Sequence, residues 1–137
     1  MTQPPYEPLD VPSPATVESP PGAVVLELPA DGSYRAVGRL VAGGVATRLG
    51  FQVTQIEDLQ LAVEAVLSRT PARAALRLEL VDSGPRLVAR VGPFAPDPVD
   101  RERAKDMLFA LVEDVEVQDS PEGEWFILSA AEYRATR

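Results

Sequence analysis

Half of the chain's fourteen prolines lie within its first 22 residues, where few apolar side chains accompany them. Because proline lacks a backbone N–H and has a fixed φ, such a stretch forms neither a helix nor a central strand. We predict a disordered, proline-rich arm over residues 1–22, more in keeping with a plain tail than with a docking segment. Residues 23–137 are predicted to form a single folded domain, since 45% apolar and 25% charged residues suit one core.

Several classes of function are excluded by what the chain lacks. It has no cysteine and no histidine, which excludes disulfides, thiolate metal sites, histidine-based triads and a phospho-accepting histidine. The sequence shows no apolar run long enough to span a membrane and no secretory signal, so we expect a cytoplasmic location and no membrane partner. The net charge of −8 argues against a nucleic-acid partner, because binding phosphates requires clustered Lys and Arg. Small molecules and proteins are left as partners.

Hydrophobic periodicity and turn residues predict eight elements in the order β-α-α-β-β-α-β-β. A strand starts at Ala23 and ends at Pro29, and helices follow over residues 34–49 and from Thr54 towards Pro71. Strands at 74–81 and 86–91 form a hairpin, a third helix runs from Asp97 to about Glu113, and residues 115–118 and 125–129 form a second hairpin. Helices on one side of a largely antiparallel sheet make a two-layer α+β sandwich.

Each predicted helix has an apolar face and an end signal. Thr54 and Glu57 are spaced as a capping box for the second helix, and Asp97 with Pro98 predicts the start of the third. Gly50 is the expected residue after the first helix. The predicted buried faces are Tyr34, Val37, Leu40, Val41 and Val45 on the first helix, Ile56, Leu59, Val63 and Val66 on the second, and Met107, Leu108, Leu111 and Val112 on the third.

Positive charge is concentrated on the first helix. From Gly32 to Ile56 the only charged residues are Arg35, Arg39 and Arg48, whereas residues 100–124 hold nine acids and three bases. Arg35 and Arg39 lie one helical turn apart. A cationic helix face on an anionic protein suggests an acidic protein partner. The alternative, that these arginines balance neighbouring acids, has equal weight at this point.

Several stretches occur in the order found in a known family. They are LELPA at 26–30, YRAVGR at 34–39, LGF at 49–51, IEDLQLAVEA at 56–65, LVEDVEV at 111–117 and SPEG at 120–123. Together with the order of elements, they resemble the anti-sigma-factor serine/threonine kinases of the histidine-kinase-like (GHKL) ATPase superfamily. The resemblance implies the Bergerat fold of that superfamily, over about residues 23–130.

The resemblance also implies where a nucleotide site would be. The family's general base falls on Glu64 and its Mg²⁺-holding asparagine falls on Ser68, a poorer ligand than an amide. The adenine-binding D-x-G-x-G box falls on residues 91–95, which read VGPFA without an acid. The glycine-rich phosphate stretch falls on residues 103–106, which contain no glycine, and the ATP lid is cut to a few residues.

The resemblance therefore implies a degenerate member: a non-catalytic anti-sigma-like module that binds a protein partner in a sigma-factor pathway. We expect a sigma factor or an anti-sigma antagonist as partner, a homodimer, Arg35 and Arg39 as contacts, and neither cofactor nor metal. One alternative is a serine/threonine kinase that uses Glu64 as its base with ATP and Mg²⁺. Another is a small α+β domain whose likeness to the family is coincidental. The sequence identifies neither the partner nor the role of the arm.

Overall fold

The computed structural model describes residues 22–131, which form a five-stranded sheet covered on one face by helices. The elements are β1 Val24–Pro29, α1 Arg35–Arg48, α2 Val53–Leu67, β2 Ala75–Ser83, β3 Arg86–Phe94, α3 Pro98–Leu108, β4 Asp114–Ser120 and β5 Gly123–Ala131. The predicted order and the two-layer α+β architecture are confirmed. The predicted arm lies, apart from Gly22, outside the described residues. Within residues 22–131, no helix is long and apolar enough to cross a membrane.

The sheet has the order β1-β2-β3-β5-β4, with every neighbouring pair antiparallel. Both predicted hairpins are present: Ser83 pairs with Arg86 at the end of the first, and Ser120 pairs with Gly123 at the end of the second. Since side chains alternate between the faces of a strand, one face supplies the core. Its buried residues include Leu76, Leu78, Leu80, Leu87, Ala89, Val91, Phe126 and Leu128.

Helix α2 buries the predicted face but starts differently. Leu59, Val63 and Val66 are buried, and Ile56 packs against the core. The predicted Thr54–Glu57 capping box is wrong: the N-cap residue is Gln52, whose backbone N–H donates to the side chain of Gln55 at 3.3 Å. The helix thus begins at Val53, one residue before the expected cap.

Helix α1 buries the predicted face only in part: Val41 and Val45 pack against the core as expected, but the fully buried positions are small residues. Its buried residues are Gly38, Ala42, Gly43 and Ala46, whereas Tyr34, Val37 and Leu40 are 48%, 38% and 65% exposed. The physical reason is close approach, since a Cβ at Gly38 would lie 2.7 Å from Leu67 Cδ1. Small residues let the backbone of α1 pack directly on its neighbours, and Tyr34, Val37 and Leu40 are left towards solvent.

Helix α3 has the predicted start and an earlier end. The Asp97 carboxylate accepts a hydrogen bond from the Asp100 backbone N–H at 3.1 Å, and Pro98 occupies the first turn. The helix ends at Leu108, not near Glu113, because the chain then turns, with Val112 N–H donating to the Leu108 carbonyl at 3.0 Å. Met107 is exposed, in contrast to its predicted place on the buried face.

Candidate functional site

The positions that the resemblance assigns to a nucleotide meet where α2 ends, β3 ends and α3 begins. Ser68 is the C-cap residue of α2, and residues 91–95 include the last four residues of β3. The backbone N–H of Ala95 donates to the Thr70 carbonyl at 2.9 Å, which joins the end of β3 to the end of α2. Only residues 95–97 separate β3 from α3, so the short connection expected in place of a lid is present.

Glu64 and Ser68 lie one turn apart on α2, and both are engaged by neighbours. The Glu64 carboxylate accepts a hydrogen bond from the Arg39 guanidinium at 3.4 Å, and both side chains are partly exposed. The Ser68 hydroxyl donates to the Glu64 backbone carbonyl at 2.9 Å. The acceptor is one of the backbone carbonyls that have no amide partner at the C-terminal end of a helix. The hydroxyl proton of Ser68 is therefore already engaged.

Residues 91–95 belong to the core. Phe94 is fully buried and packs edge-on against Phe126, with ring centroids 6.0 Å apart. A Cβ at Gly92 would lie 2.6 Å from Trp125 Cδ2 on the opposite face of the sheet. The loop after α2 pairs with this stretch through the Pro71–Phe94 bridge. The stretch is thus covered by the chain itself on both faces.

Residues 103–106 lie inside α3 and form no loop. Arg103 and Asp106 are exposed, whereas Ala104 and Lys105 are half-buried. The N-terminal end of α3, which in a phosphate-binding arrangement would present free amides to an anion, already has the Asp97 carboxylate on one of them. A second carboxylate, that of Asp100, lies in the same turn.

A buried charge cluster fills the junction of these elements, and sequence reasoning did not find it. The Arg69 Nε donates to the Asp100 carboxylate at 2.9 Å, and Arg101 Nη1 donates to the Glu124 carboxylate at 3.0 Å. The side chains of Arg69 and Glu124 are only 7% and 3% exposed. A signal was present, because Glu124 shares the alternating inward positions of β5 with Phe126 and is therefore directed into the core.

The two candidate contact arginines have different surroundings. Arg39 lies against α2 and pairs with Glu64, so the structure brings together two of the residues selected from the sequence. Arg35 is exposed at the first turn of α1, and its guanidinium folds over Gly32. Among residues 22–131, no carboxylate lies within ion-pair distance of Arg35. Its charge is thus directed to solvent.

The residues at this junction do not fit a magnesium nucleotide. The carboxylates of Asp100 and Glu124 at this junction are paired with Arg69 and Arg101, so both arginines are engaged by the chain's own carboxylates and are not free to bind phosphates. Within the described part of the chain, no cluster of three or more acidic, cysteine or histidine side chains is placed to hold a metal ion. Phosphates bind in a cradle of cations and glycine-rich backbone. At this junction the corresponding space is filled by the side chains of Arg69 and Phe94.

A cavity of about 390 Å³ lies at the other end of α2. Its lining includes Gln55 and Asp58 at the start of α2, Ala131 at the end of β5, and residues 109–113 after α3. Gln55 donates to the Ala131 carbonyl at 2.7 Å across it. The cavity is separate from Ser68 and the charge cluster, and its lining includes none of Arg35, Arg39, Glu64 and Ser68.

Comparison with known proteins gives a sequence match over part of the chain. Over 51 residues the chain is 39% identical to the serine-protein kinase RsbW of Listeria monocytogenes and to that of Listeria innocua. This stretch is homologous to RsbW. The match covers 37% of the chain and 32% of each relative, so the chain spans about a third of the length of the curated relatives it matches. The resemblance to the serine-kinase family is confirmed over that stretch.

Comparison with solved structures supports the fold. The chain is similar to the crystal structure of the RsbU and RsbW domains of Rv1364c from Mycobacterium tuberculosis, with a TM-score of 0.66 and 16% identity. The similarity covers 86% of this chain and 34% of that one. It confirms the predicted fold class, a two-layer α+β sandwich consistent with the Bergerat type. No protein-family model matches the chain.

Proposed function

We propose that this chain is a non-catalytic, anti-sigma-like regulatory module that acts by binding a protein partner in a sigma-factor partner-switching pathway. The observation that supports the proposal is a contrast between the overall fold and the residues at the expected nucleotide site. The scaffold is similar to RsbW, yet the positions aligned with the nucleotide are a helix cap, a core strand and a buried ion-pair cluster. Phosphoryl transfer needs a positioned, metal-neutralised phosphate, and these residues offer no place for one.

The proposed partner surface is the solvent side of α1 and α2. Leu40 and Leu61 are 65% and 53% exposed there, close in sequence to the residues of the Arg39–Glu64 pair, and the exposed side chain of Arg35 lies at the start of α1. Exposed apolar side chains beside arginines are typical of protein interfaces. An acidic surface on a sigma factor or an anti-sigma antagonist is complementary to this arrangement. A homodimer and a cytoplasmic location form part of the same proposal.

Affinity purification of the full-length chain from its native cells, with the partner identified by mass spectrometry, tests this function. A sigma factor or an anti-sigma antagonist, recaptured as a purified protein with saturable affinity, is the expected result. Recovery of neither class by a correctly folded bait would contradict the proposal.

Reversing both arginines, Arg35→Glu with Arg39→Glu, is expected to weaken binding of that partner at least tenfold. Each reversal places a negative side chain against the acidic surface of the partner, so attraction becomes repulsion. Each such like-charge contact costs on the order of 1 kcal/mol or more of binding free energy. Titration of the purified partner by calorimetry measures the loss. Arg86→Glu, which makes the same charge change as either one of these substitutions on an exposed residue at the distant β2–β3 hairpin, is the control and should leave affinity unchanged. Equal affinity for the double variant and the control would remove α1 from the interface.

A second candidate function is an ATP-dependent serine/threonine kinase. The observation that favours it is the name of its relatives, since RsbW of Listeria is a serine-protein kinase. In this reading Glu64, which is 38% exposed, acts as general base and Ser68 as metal ligand. The ion pair of Glu64 with Arg39 would have to open first, whereas the hydrogen bond that Ser68 donates leaves its oxygen lone pairs available to a metal ion.

A further inference from the structure

The side chain of Arg69 leaves the end of α2 and reaches between the sheet and α3. Its guanidinium carbon lies 4.6 Å from the ring centroid of Phe126 and 5.7 Å from that of Phe94. The negative face of an aromatic ring attracts a cation, and the attraction grows when water is excluded. With 7% of its side chain exposed, Arg69 meets that condition.

Two carboxylates complete the surroundings of this guanidinium. Asp100, in the first turn of α3, accepts a hydrogen bond from Nε at 2.9 Å. Glu124, at the start of β5, lies 3.8 Å from Nη1. Among residues 22–131, neither Arg69 Nη1 nor Glu124 Oε1 has a hydrogen-bond partner, so their mutual ion pair is what offsets the cost of burying them.

Apolar packing holds α3 mainly at its C-terminal end. Leu108, the last residue of α3, is the one buried residue of the helix, and Ala104 packs against the core from one turn earlier. In the first turn, Pro98 and Val99 are exposed, and Asp100 and Arg101 are half-buried. Its links to the body of the protein are Asp100 to Arg69 and Arg101 to Glu124.

We propose that Arg69 is a built-in cation that positions the first turn of α3 on the sheet, at the junction where the resemblance places a nucleotide. The inference rests on the proposed function, in which no nucleotide occupies this junction. Arg69 fills the space between the aromatic rings and the two carboxylates, and it joins α2, the sheet and α3. Because all of these contacts come from the chain itself, the position of α3 does not depend on a bound ligand.

Hydrogen exchange on the full-length chain tests this role with two variants, Arg69→Ala and Asp100→Asn. Asp100 is 45% exposed, so its substitution removes the negative charge that pairs with Arg69 without opening an interior cavity. In both variants we expect amides of the first two turns of α3 to exchange at least roughly tenfold faster, as in local unfolding of one element. Amides of β2 and β3 should keep their protection. Asp106→Asn removes the same charge from a later turn of α3, at an exposed position outside this set of ion pairs, and should not change exchange.

Chemical rescue separates a guanidinium site from a general loss of packing. Arg69→Ala leaves a space lined by Phe94, Phe126, Glu124 and Asp100, which suits a free alkylguanidinium. Millimolar ethylguanidinium chloride should raise the Tm of Arg69→Ala above its value in equal sodium chloride, and should not raise the Tm of the native chain. Butylammonium, which has the charge without the planar fork, should rescue less.

The proposal is overturned if protection of α3 is unchanged in both variants, or if ethylguanidinium does no more than sodium chloride. It is also overturned if Asp100→Asn speeds exchange equally in all elements, because Arg69 would then act on the whole fold and not on α3. These outcomes differ from a failure of the proposed function, which nucleotide binding by the native chain would show.

Discussion

Phe126→Ala is expected to lower the free energy of unfolding by about 3–5 kcal/mol, the usual loss for a buried aromatic residue. Phe126 is fully buried in the centre of the sheet's helix-facing side. It contacts Phe94 edge-on and supports the guanidinium of Arg69, so truncation removes apolar burial, an aromatic pair and a cation–π contact together. Urea denaturation followed by circular dichroism measures the change.

Phe109→Ala is the matched control for this loss. Phe109 follows α3 and is 47% exposed, so its truncation removes only about half of a phenylalanine's apolar burial and is expected to cost roughly 1 kcal/mol. A similar loss for both phenylalanines would mean that Phe126 is not at the centre of the core, which would contradict the described packing.

Glu124→Ala is expected to lower the free energy of unfolding by about 3 kcal/mol. Removing one partner of a buried ion pair leaves the other charge without compensation, and this costs about 3–5 kcal/mol in well-buried cases. Here Arg69 and Arg101 both lose a carboxylate, while Arg69 keeps Asp100, so the lower end of the range applies. Urea denaturation at neutral pH is the measurement.

The control for this prediction is Glu122→Ala, two residues earlier. Glu122 pairs with Arg73 at 3.9 Å near the surface, where the arginine is 58% exposed. Such pairs contribute about 0–1 kcal/mol. If the two glutamates gave equal losses, burial of the Glu124 cluster would not matter to stability, and the inference about Arg69 would lose its basis.

Features set by local chemistry could be predicted from the sequence. The Asp97 cap with Pro98, the α2 face of Leu59 and Val63, and both hairpins follow from residues close together in the chain. The prediction for α1 holds for Val41 and Val45, which pack against the core. It fails for the other large residues because apolar volume was taken as the sign of burial, whereas Gly38 and Ala42 are buried because they allow close approach. Whether a helix buries large or small residues depends on the distance to its neighbour, which the helix sequence does not state.

The candidate site was predictable only in part. Glu64, Ser68 and residues 91–95 were located through the resemblance, and the Arg39–Glu64 pair joins residues 25 apart that had been selected separately. Arg69 was missed because its partner Asp100 is 31 residues away and its aromatic contacts come from two strands. Nothing adjacent to Arg69 in the chain indicates burial, since a charged residue after a helix is usually solvated.

Isothermal titration of the full-length chain with Mg-ATP tests the central claim, that the scaffold of a serine kinase is used here without its nucleotide. We predict no saturable heat up to about millimolar ATP, with RsbW of Listeria monocytogenes measured in parallel as the positive control. Saturable binding at or below about 1 mM, equivalent to at least roughly 4 kcal/mol, would contradict the account and favour the kinase with Glu64 as its base.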